Sequence, residues 1–238
     1  MHRITTAVAL LATVFGVVGV STPPALGHAD RPQRSGPSLL VTRLTGIDGA
    51  QQVVSVTTSR YGAVHATVQA FARSGTGWVR VAGPWSAWIG RNGFARPDSK
   101  REGDGKTPTG SYRFSFFFGV ANKPRVHYPW RHAAPYDYWD DDPASPRYNM
   151  WVDTRYHSAG RAPEPLHVAP SYDDVAVIGY NTSRTPGRGS GIFLHVTHDS
   201  PTSGCVALPR PEVLRLLSWL NPRDHPRIIM GRTASVTR

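Results

Sequence analysis

The chain has 238 residues, a formal net charge of +11, 23 glycines, 21 prolines and a single cysteine. One cysteine excludes an intramolecular disulfide and a cysteine-built zinc site, and so much glycine and proline argues against a coiled coil or a helical bundle. The positive charge predicts an anionic partner, without choosing among nucleic acid, lipid and wall polymer.

The first 29 residues have the pattern of a secretory signal peptide. A basic start, Met1-His2-Arg3, precedes an apolar run from Ile4 to Val20, and small residues lead up to Ala29. We therefore predict a signal peptide at 1–29, a flexible lead at 30–38, and a protein secreted to the cell wall or extracytoplasmic space. An uncleaved membrane anchor is the alternative, because about 17 apolar residues nearly span a bilayer. Export argues against nucleic acid as the partner, and we expect a monomer.

Beyond residue 38 the predicted elements are mostly β-strands. β-branched and alternating residues predict an antiparallel unit of strands at 52–58, 63–71 and 78–81, with Trp85 and Trp88 starting the next element. Further strands are predicted at 110–118, 175–180, 192–196 and 228–230, whereas 122–146 has the composition of an irregular loop. A helix is predicted from Pro211 to Asn221-Pro222, with an apolar face of Val213, Leu214, Leu216, Leu217 and Leu220. The fold class is mainly β.

Three apparent motifs carry little weight. The run Gly103 to Thr107 lacks the first glycine of a phosphate-binding loop. The acidic triplet Asp140-Asp141-Asp142, beside a proline, is typical of a solvated loop. His195 and His198 are three residues apart, which is weak spacing for a metal site and leaves a zinc peptidase as a minor hypothesis.

The segment at 191–208, GIFLHVTHDSPTSGCVAL, carries the chemistry. A buried strand ends near His195, and Cys205 follows Ser203-Gly204 ten residues later. A free thiol is mostly protonated at neutral pH, and an imidazole within hydrogen-bond reach lowers its pKa and makes it a nucleophile. Gly204 lets the backbone turn, so the amides of Gly204 and Cys205 are candidate oxyanion donors. The alternative is an inert, buried cysteine.

This segment resembles the nucleophile segment of the L,D-transpeptidases, the YkuD-like catalytic domain. The resemblance has further anchors in Gly103-Asp104-Gly105, in Thr107-Pro108-Thr109-Gly110 and in Tyr180-Asn181. It implies a β-sandwich with short helices and one C-terminal helix, and a catalytic domain at 85–231. Because no boundary is evident after residue 38, we expect residues 39–84 to be N-terminal strands of the same domain, with a small accessory module as the alternative, and residues 232–238 to be a tail. The resemblance implies no metal or organic cofactor.

The resemblance also assigns roles to residues of this chain. Cys205 is the implied nucleophile and His195 its base, within a catalytic loop that includes Ser203 and Gly204. The residues implied to bind substrate are Tyr180, Asn181, His198 and Thr202. One departure is that Ser203 stands where the family usually has a histidine, so the chain is closer to a subgroup with Thr-Ser-Gly-Cys-Val-Ala-Leu. His198 is the alternative base.

The implied function is an exported peptidoglycan L,D-transpeptidase that cross-links stem peptides through a cysteine thioester and releases D-Ala. Its partners would be peptidoglycan stem peptides and anionic cell-envelope polymers. The alternatives are an L,D-carboxypeptidase or another thiol wall-peptide hydrolase, and a non-catalytic cell-wall-binding module.

Overall fold

The protein is described by a computed structural model that covers residues 33–34 and 39–238, the first pair by backbone pairing alone. The predicted signal peptide at 1–29 lies outside the described residues, as does most of the predicted lead at 30–38. Within the described part of the chain, no helix is both long enough and apolar enough to cross a membrane.

The described residues form fourteen β-strands, two α-helices and two 3-10 turns. The strands are β1 (Gln33–Arg34), β2 (Gln52–Thr58), β3 (His65–Ser74), β4 (Gly77–Trp88), β5 (Gly110–Tyr112), β6 (Phe114–Gly119), β7 (Trp130–His132), β8 (Asp137–Asp140), β9 (Met150–Asp153), β10 (Glu164–Pro165), β11 (Val175–Ile178), β12 (Phe193–Val196), β13 (Val206–Leu208) and β14 (Arg227–Arg232). The helices are α1 (Arg210–Trp219) and α2 (Thr233–Val236), and the 3-10 turns are Leu40–Thr42 and Pro222–Asp224.

Most strands belong to one large, curled sheet. Its order is β5-β14-β2-β3-β4-β13-β12-β11-β6-β7, with β1 added beside β4, and a second sheet has the order β10-β8-β9. The pairs β14·β2, β12·β13 and β6·β7 are parallel, and the remaining pairs are antiparallel. The predicted fold class, mainly β with a C-terminal helix, is confirmed.

Two local predictions were wrong. Trp85 and Trp88 do not start a new element, because β4 continues through both and pairs with β3 as far as His65. The segment 122–146 is not wholly irregular, since it contains β7 and β8. These strands are three and four residues long, and their partners β6, β9 and β10 hold them in place. Tertiary pairing of this kind overrides a weak local pattern.

Helix α1 covers one face of the strands that carry the site. Pro211 lies in its first turn, and Val213, Leu216 and Leu217 are buried against β11 and β12. The predicted helix is confirmed, and burying each of these side chains contributes about 1.5–3 kcal/mol to stability.

The pairing of β12 with β13 decides which side chains face the core and which face the site. Leu194 is opposite Val206, and both lie in the core cluster that α1 covers. Successive residues of a strand point to opposite faces, so Phe193, His195 and Cys205 share the other face. Phe193 and Cys205 pack there in a second, aromatic-rich cluster.

Candidate active site

The loop before β13 is held by the side chain of Thr202. Its Oγ1 accepts a hydrogen bond from the Gly204 amide (3.1 Å) and donates one to the Cys205 carbonyl (2.8 Å). Thr107 Oγ1, from the other sequence anchor, donates to the same carbonyl at 3.4 Å. Gly204 has φ +152°, and a Cβ there would lie 3.0 Å from the Lys106 carbonyl oxygen, so a larger residue would be strained. The two anchors thus meet around Cys205.

The thiol of Cys205 is nearly enclosed, with the residue only 6% exposed. Its Sγ donates to the Gly191 carbonyl and accepts from the Phe193 amide, both at 3.3 Å. Burial raises the pKa of the Cys205 thiol well above its ordinary value, and the negative charge of Glu164 adds to the effect. The sequence-based expectation was a thiol pKa lowered by an imidazole, and the structure gives the opposite direction.

His195 is buried at the end of β12. Its Nδ1 is 2.9 Å from the Val196 carbonyl, and because a carbonyl can only accept, Nδ1 carries the proton of the neutral ring. Burial lowers the pKa of His195 to about 4, against the opposing effect of the Val196 and Ser171 carbonyls. The ring of Tyr172 meets the imidazole edge-to-face at 5.2 Å. No hydrogen bond joins His195 to the Cys205 thiol among the described residues.

Cys205 and His195 line one cavity of about 480 Å³. This volume lies within the range of about 300–1,000 Å³ typical of small-molecule pockets. Three carboxylates line the same cavity, and they come from distant parts of the chain: Glu102, Asp141 and Glu164. The cavity therefore combines a thiol, an imidazole and a group of acidic side chains.

The acidic side chains of the cavity affect one another. Burial raises the pKa of Glu164 to about 7, with the charges of Asp141 and Glu102 adding to the rise, while a hydrogen bond from Tyr172 opposes it. Burial and the nearby Glu102 raise the pKa of Asp141 to about 6. Asp140 is fully buried and accepts a hydrogen bond of 2.5 Å from Ser145. The expectation of a solvated loop was therefore wrong for Asp140 and Asp141.

A family model described as the L,D-transpeptidase catalytic domain, YkuD, matches residues 64–230. The chain belongs to this family. The match begins earlier than the resemblance at 85–231, so it includes all of β3 and β4. Comparison with curated proteins and with solved structures gave no match.

In this chain an arginine contacts Ser203, the residue that stands where the family usually has a histidine. Ser203 is exposed at the cavity, and its Oγ accepts a hydrogen bond of 3.0 Å from Arg91 Nη1. His198 is exposed and also lines the cavity, with Nδ1 3.3 Å from Ser171 Oγ and Nε2 2.9 Å from Ser200 Oγ. Both residues thus lie in the same cavity as Cys205, and Arg91, from the run Gly90-Arg91-Asn92-Gly93-Phe94 that also resembles the family, lines it as well.

Tyr180 and Asn181 do not line the Cys205 cavity of the domain. They line an adjoining cavity, where Tyr180 Oη donates to the Arg188 carbonyl at 2.5 Å. Asn181 Nδ2 donates to the carbonyls of Thr185 and Gly189, and its Oδ1 accepts from the Thr185 amide. These contacts shape the loop that leads to β12, and the substrate-binding role of the two residues stays a prediction.

Proposed function

We propose that this member of the family is an exported peptidoglycan L,D-transpeptidase that works through a thioester of Cys205 and releases D-Ala. The observation that carries the proposal is the thiol of the only cysteine, lining a cavity together with His195 on one face of adjacent strands. Export is supported by the basic start and apolar run before Ala29. The +11 charge supports contact with anionic wall polymers.

In this proposal, acylation begins with the Cys205 thiol and the His195 imidazole both uncharged. When the stem peptide enters, it excludes water, and the Cys205 proton passes to Nε2 of His195 as the sulfur attacks the carbonyl before the terminal D-Ala. The Gly204 amide is already bonded to Thr202, which leaves the Cys205 amide as the other candidate donor to the oxyanion. The imidazolium then protonates the leaving D-Ala amine, and the thioester remains.

An amine of a second stem peptide then attacks the thioester and forms the cross-link. Water attacking the same thioester would give a tripeptide, the product of an L,D-carboxypeptidase. Attack by the amine and attack by water both use Cys205 and His195, so only the products distinguish the two reactions.

Product analysis by mass spectrometry tests the proposal. The residue 30–238 protein and its Cys205→Ala variant are incubated with purified disaccharide-tetrapeptide, beside Thr45→Ser as a variant outside the cavity. Cross-linked dimers and free D-Ala from wild type and Thr45→Ser, and neither from Cys205→Ala, support the transpeptidase. Tripeptide without dimers would show a carboxypeptidase, and unchanged tetrapeptide throughout would contradict thioester chemistry on this substrate.

A further inference from the structure

The wall of the Cys205 cavity includes one lysine and one arginine, and they differ in their partners. Lys100 is neutralised, because its Nζ is 2.6 Å from Asp104 Oδ1. Arg91 forms no ion pair with any residue in 39–238, and the hydrogen bond that its guanidinium makes there goes to the neutral hydroxyl of Ser203. Arg91 therefore brings an uncompensated positive charge to this cavity.

The main chain of Arg91 is fixed to the loop before Cys205. The Arg91 amide donates to the Thr202 carbonyl at 2.8 Å, and Gly90 and Thr202 form a parallel bridge. Thr202 also binds the Cys205 carbonyl through its hydroxyl group. Because Thr202 contacts both residues, the base of the arginine side chain has a defined position relative to the thiol.

The side chain of Arg91 packs over Gly105. A Cβ built on Gly105 would lie 2.9 Å from Arg91 Nε and Cζ and 3.0 Å from its Cγ, so a larger residue there would displace the arginine. The Gly105 carbonyl accepts from the Asn92 amide at 2.9 Å, which holds the glycine against the arginine's own segment. At the far end, Arg91 Nη1 donates to Ser203 Oγ at 3.0 Å. The stem and one nitrogen of the guanidinium are thus held, and its other N–H groups have no hydrogen-bond partner among the described residues.

A guanidinium in this state suits a carboxylate, because its planar pairs of N–H donors match the two carboxylate oxygens. A stem tetrapeptide ends in such a group, the carboxylate of its terminal D-Ala. Only the amide nitrogen and one carbon separate this carboxylate from the carbonyl that Cys205 would attack. A side chain that binds it must therefore lie close to Cys205, and Arg91 is tied to the same loop through Thr202 and Ser203.

The acidic side chains of the cavity are grouped with one another rather than with Arg91. Glu102 accepts hydrogen bonds from two hydroxyl groups on its Oε2. The charges that act on Asp141 and Glu164 are those of other carboxylates, and Arg91 is not among them. Negative charge on this part of the wall disfavours a second anion there. A substrate carboxylate is therefore favoured on the side of Arg91.

We propose that Arg91 binds the terminal carboxylate of the donor stem peptide, so that the protein selects donors that end in a free D-Ala carboxylate. This inference rests on the proposed function and adds a specificity-determining residue to it. The guanidinium holds the leaving residue while Cys205 attacks the carbonyl before it. Ser203, which accepts one N–H of Arg91, orients the guanidinium and leaves the other donors for the carboxylate.

A competition between two donors tests the inference. Equal amounts of disaccharide-tetrapeptide and of its C-terminal D-Ala amide are incubated with the protein, and mass spectrometry measures the D-Ala and the D-alaninamide released early in the reaction. The two donors differ only in the terminal carboxylate, so every other carboxylate of the stem contributes equally to both. The product ratio equals the ratio of the two kcat/KM values, and it does not depend on how much of the protein is active.

The variants isolate the guanidinium. Arg91→Gln should lower the preference for the free acid by about tenfold or more, because a site built to bind an ionised group rejects the analogue that lacks the charge. Arg223→Gln is the matched control, since Arg223 is exposed and does not line the cavity, and it should keep the wild-type ratio. Arg91→Lys keeps the charge and loses the planar donors, so its ratio should be intermediate. A general structural defect would slow both reactions and leave their ratio unchanged.

A wild-type product ratio in Arg91→Gln overturns the inference and leaves the proposed transpeptidase standing. If Arg91→Gln does not fold, a wild-type ratio in Arg91→Lys overturns it in the same way. Wild-type protein that releases neither product overturns the proposed function, and this inference with it.

Discussion

At the scale of single residues, the site is an uncharged thiol and an uncharged imidazole. Burial moves the pKa of Cys205 up and that of His195 down to about 4, so neither group is ionised at neutral pH. The free protein therefore has no preformed thiolate–imidazolium pair, and in the proposed mechanism the substrate brings about the proton transfer. This arrangement protects the free thiol from oxidation, since the thiolate is the reactive form.

Alkylation of Cys205 should report this protonation state directly. The rate with iodoacetamide should be low from pH 6 to pH 8 and rise continuously above pH 9, because only the thiolate reacts. The chain has one cysteine, so intact-mass measurement counts a single adduct. The same protein unfolded in urea should react with a midpoint near the ordinary thiol pKa of about 8.5. Full reactivity of the folded protein at pH 6 would contradict the account.

His195→Ala should lower kcat/KM for D-Ala release by about 10²–10⁴-fold, whereas His198→Ala should cost less than about tenfold. His195 is buried with a fixed tautomer, and His198 is exposed and bonded to two serines. Steady-state rates of D-Ala release measure both variants, with circular dichroism as the check on folding. A larger loss in His198→Ala would transfer the role of base to His198.

Glu164→Gln should stabilise the protein at pH 8 more than at pH 5. Folding raises the pKa of Glu164 from 4.5 to about 7, so the folded state disfavours the carboxylate. This destabilisation is fully present above the folded pKa, diminishes as pH falls through it, and vanishes below the ordinary pKa. The gain at pH 8 should be on the order of 2 kcal/mol, measured by urea unfolding.

The control for this prediction is Asp98→Asn, since the Asp98 side chain is 96% exposed. It should change the free energy of unfolding by a similar, small amount at both pH values. If Glu164→Gln behaves in the same way, the Glu164 carboxylate is not destabilised by burial.

At the scale of elements, Asn149 joins the small sheet to the loop beside Cys205. Its Oδ1 accepts from Trp139 Nε1 (3.0 Å) and the Gly191 amide (3.1 Å). Its Nδ2 donates to the carbonyls of Tyr180 (3.1 Å) and Asn181 (2.9 Å), so all four hydrogen-bonding positions of the amide are used. Gly191 is the residue whose carbonyl accepts the hydrogen bond of the Cys205 thiol, and so Asn149 positions this thiol indirectly.

Asn149→Ala should lower the free energy of unfolding by about 2–3 kcal/mol and speed alkylation of Cys205. Asn149 has φ +57°, where alanine is strained and glycine is not. Asn149→Gly loses the same hydrogen bonds without the strain, so it should be less destabilised than Asn149→Ala by about 1 kcal/mol. Urea unfolding of the two variants measures the difference. Wild-type stability in both would show that the four hydrogen bonds contribute nothing.

Elements with a strong local pattern were predictable, and those fixed by distant partners were not. Strand β2, with its alternating β-branched residues, and helix α1, with Pro211 in its first turn, lie where the sequence predicts them. Strands β8, β9 and β10 have no such pattern, and they exist because they pair with one another. The same distinction, between local sequence pattern and tertiary structure, holds for the residues of the candidate site. Cys205 and His195 lie in one short motif, whereas Glu102 and Glu164 are brought to them by tertiary structure alone.

At the scale of the whole molecule, acidic side chains are gathered at one cavity although the chain as a whole is basic. The chain has a net charge of +11, yet the cavity around Cys205 gathers three carboxylates. The same cavity is also lined by Arg91 and Lys100, so charges of both signs lie around the thiol. The second sheet explains part of this, because β10 pairs with β8 and so places Glu164 beside the strand that leads to Asp141. Residues far apart along the chain therefore become neighbours.

Intact-protein mass spectrometry during turnover tests the central claim, that Cys205 carries the acyl group, most directly. The protein is mixed with excess disaccharide-tetrapeptide, quenched in acid within seconds, and weighed beside Cys205→Ala. The account predicts an adduct equal in mass to the donor less D-Ala, lost on treatment with hydroxylamine and absent from the variant. Release of D-Ala at the wild-type rate by Cys205→Ala would contradict it.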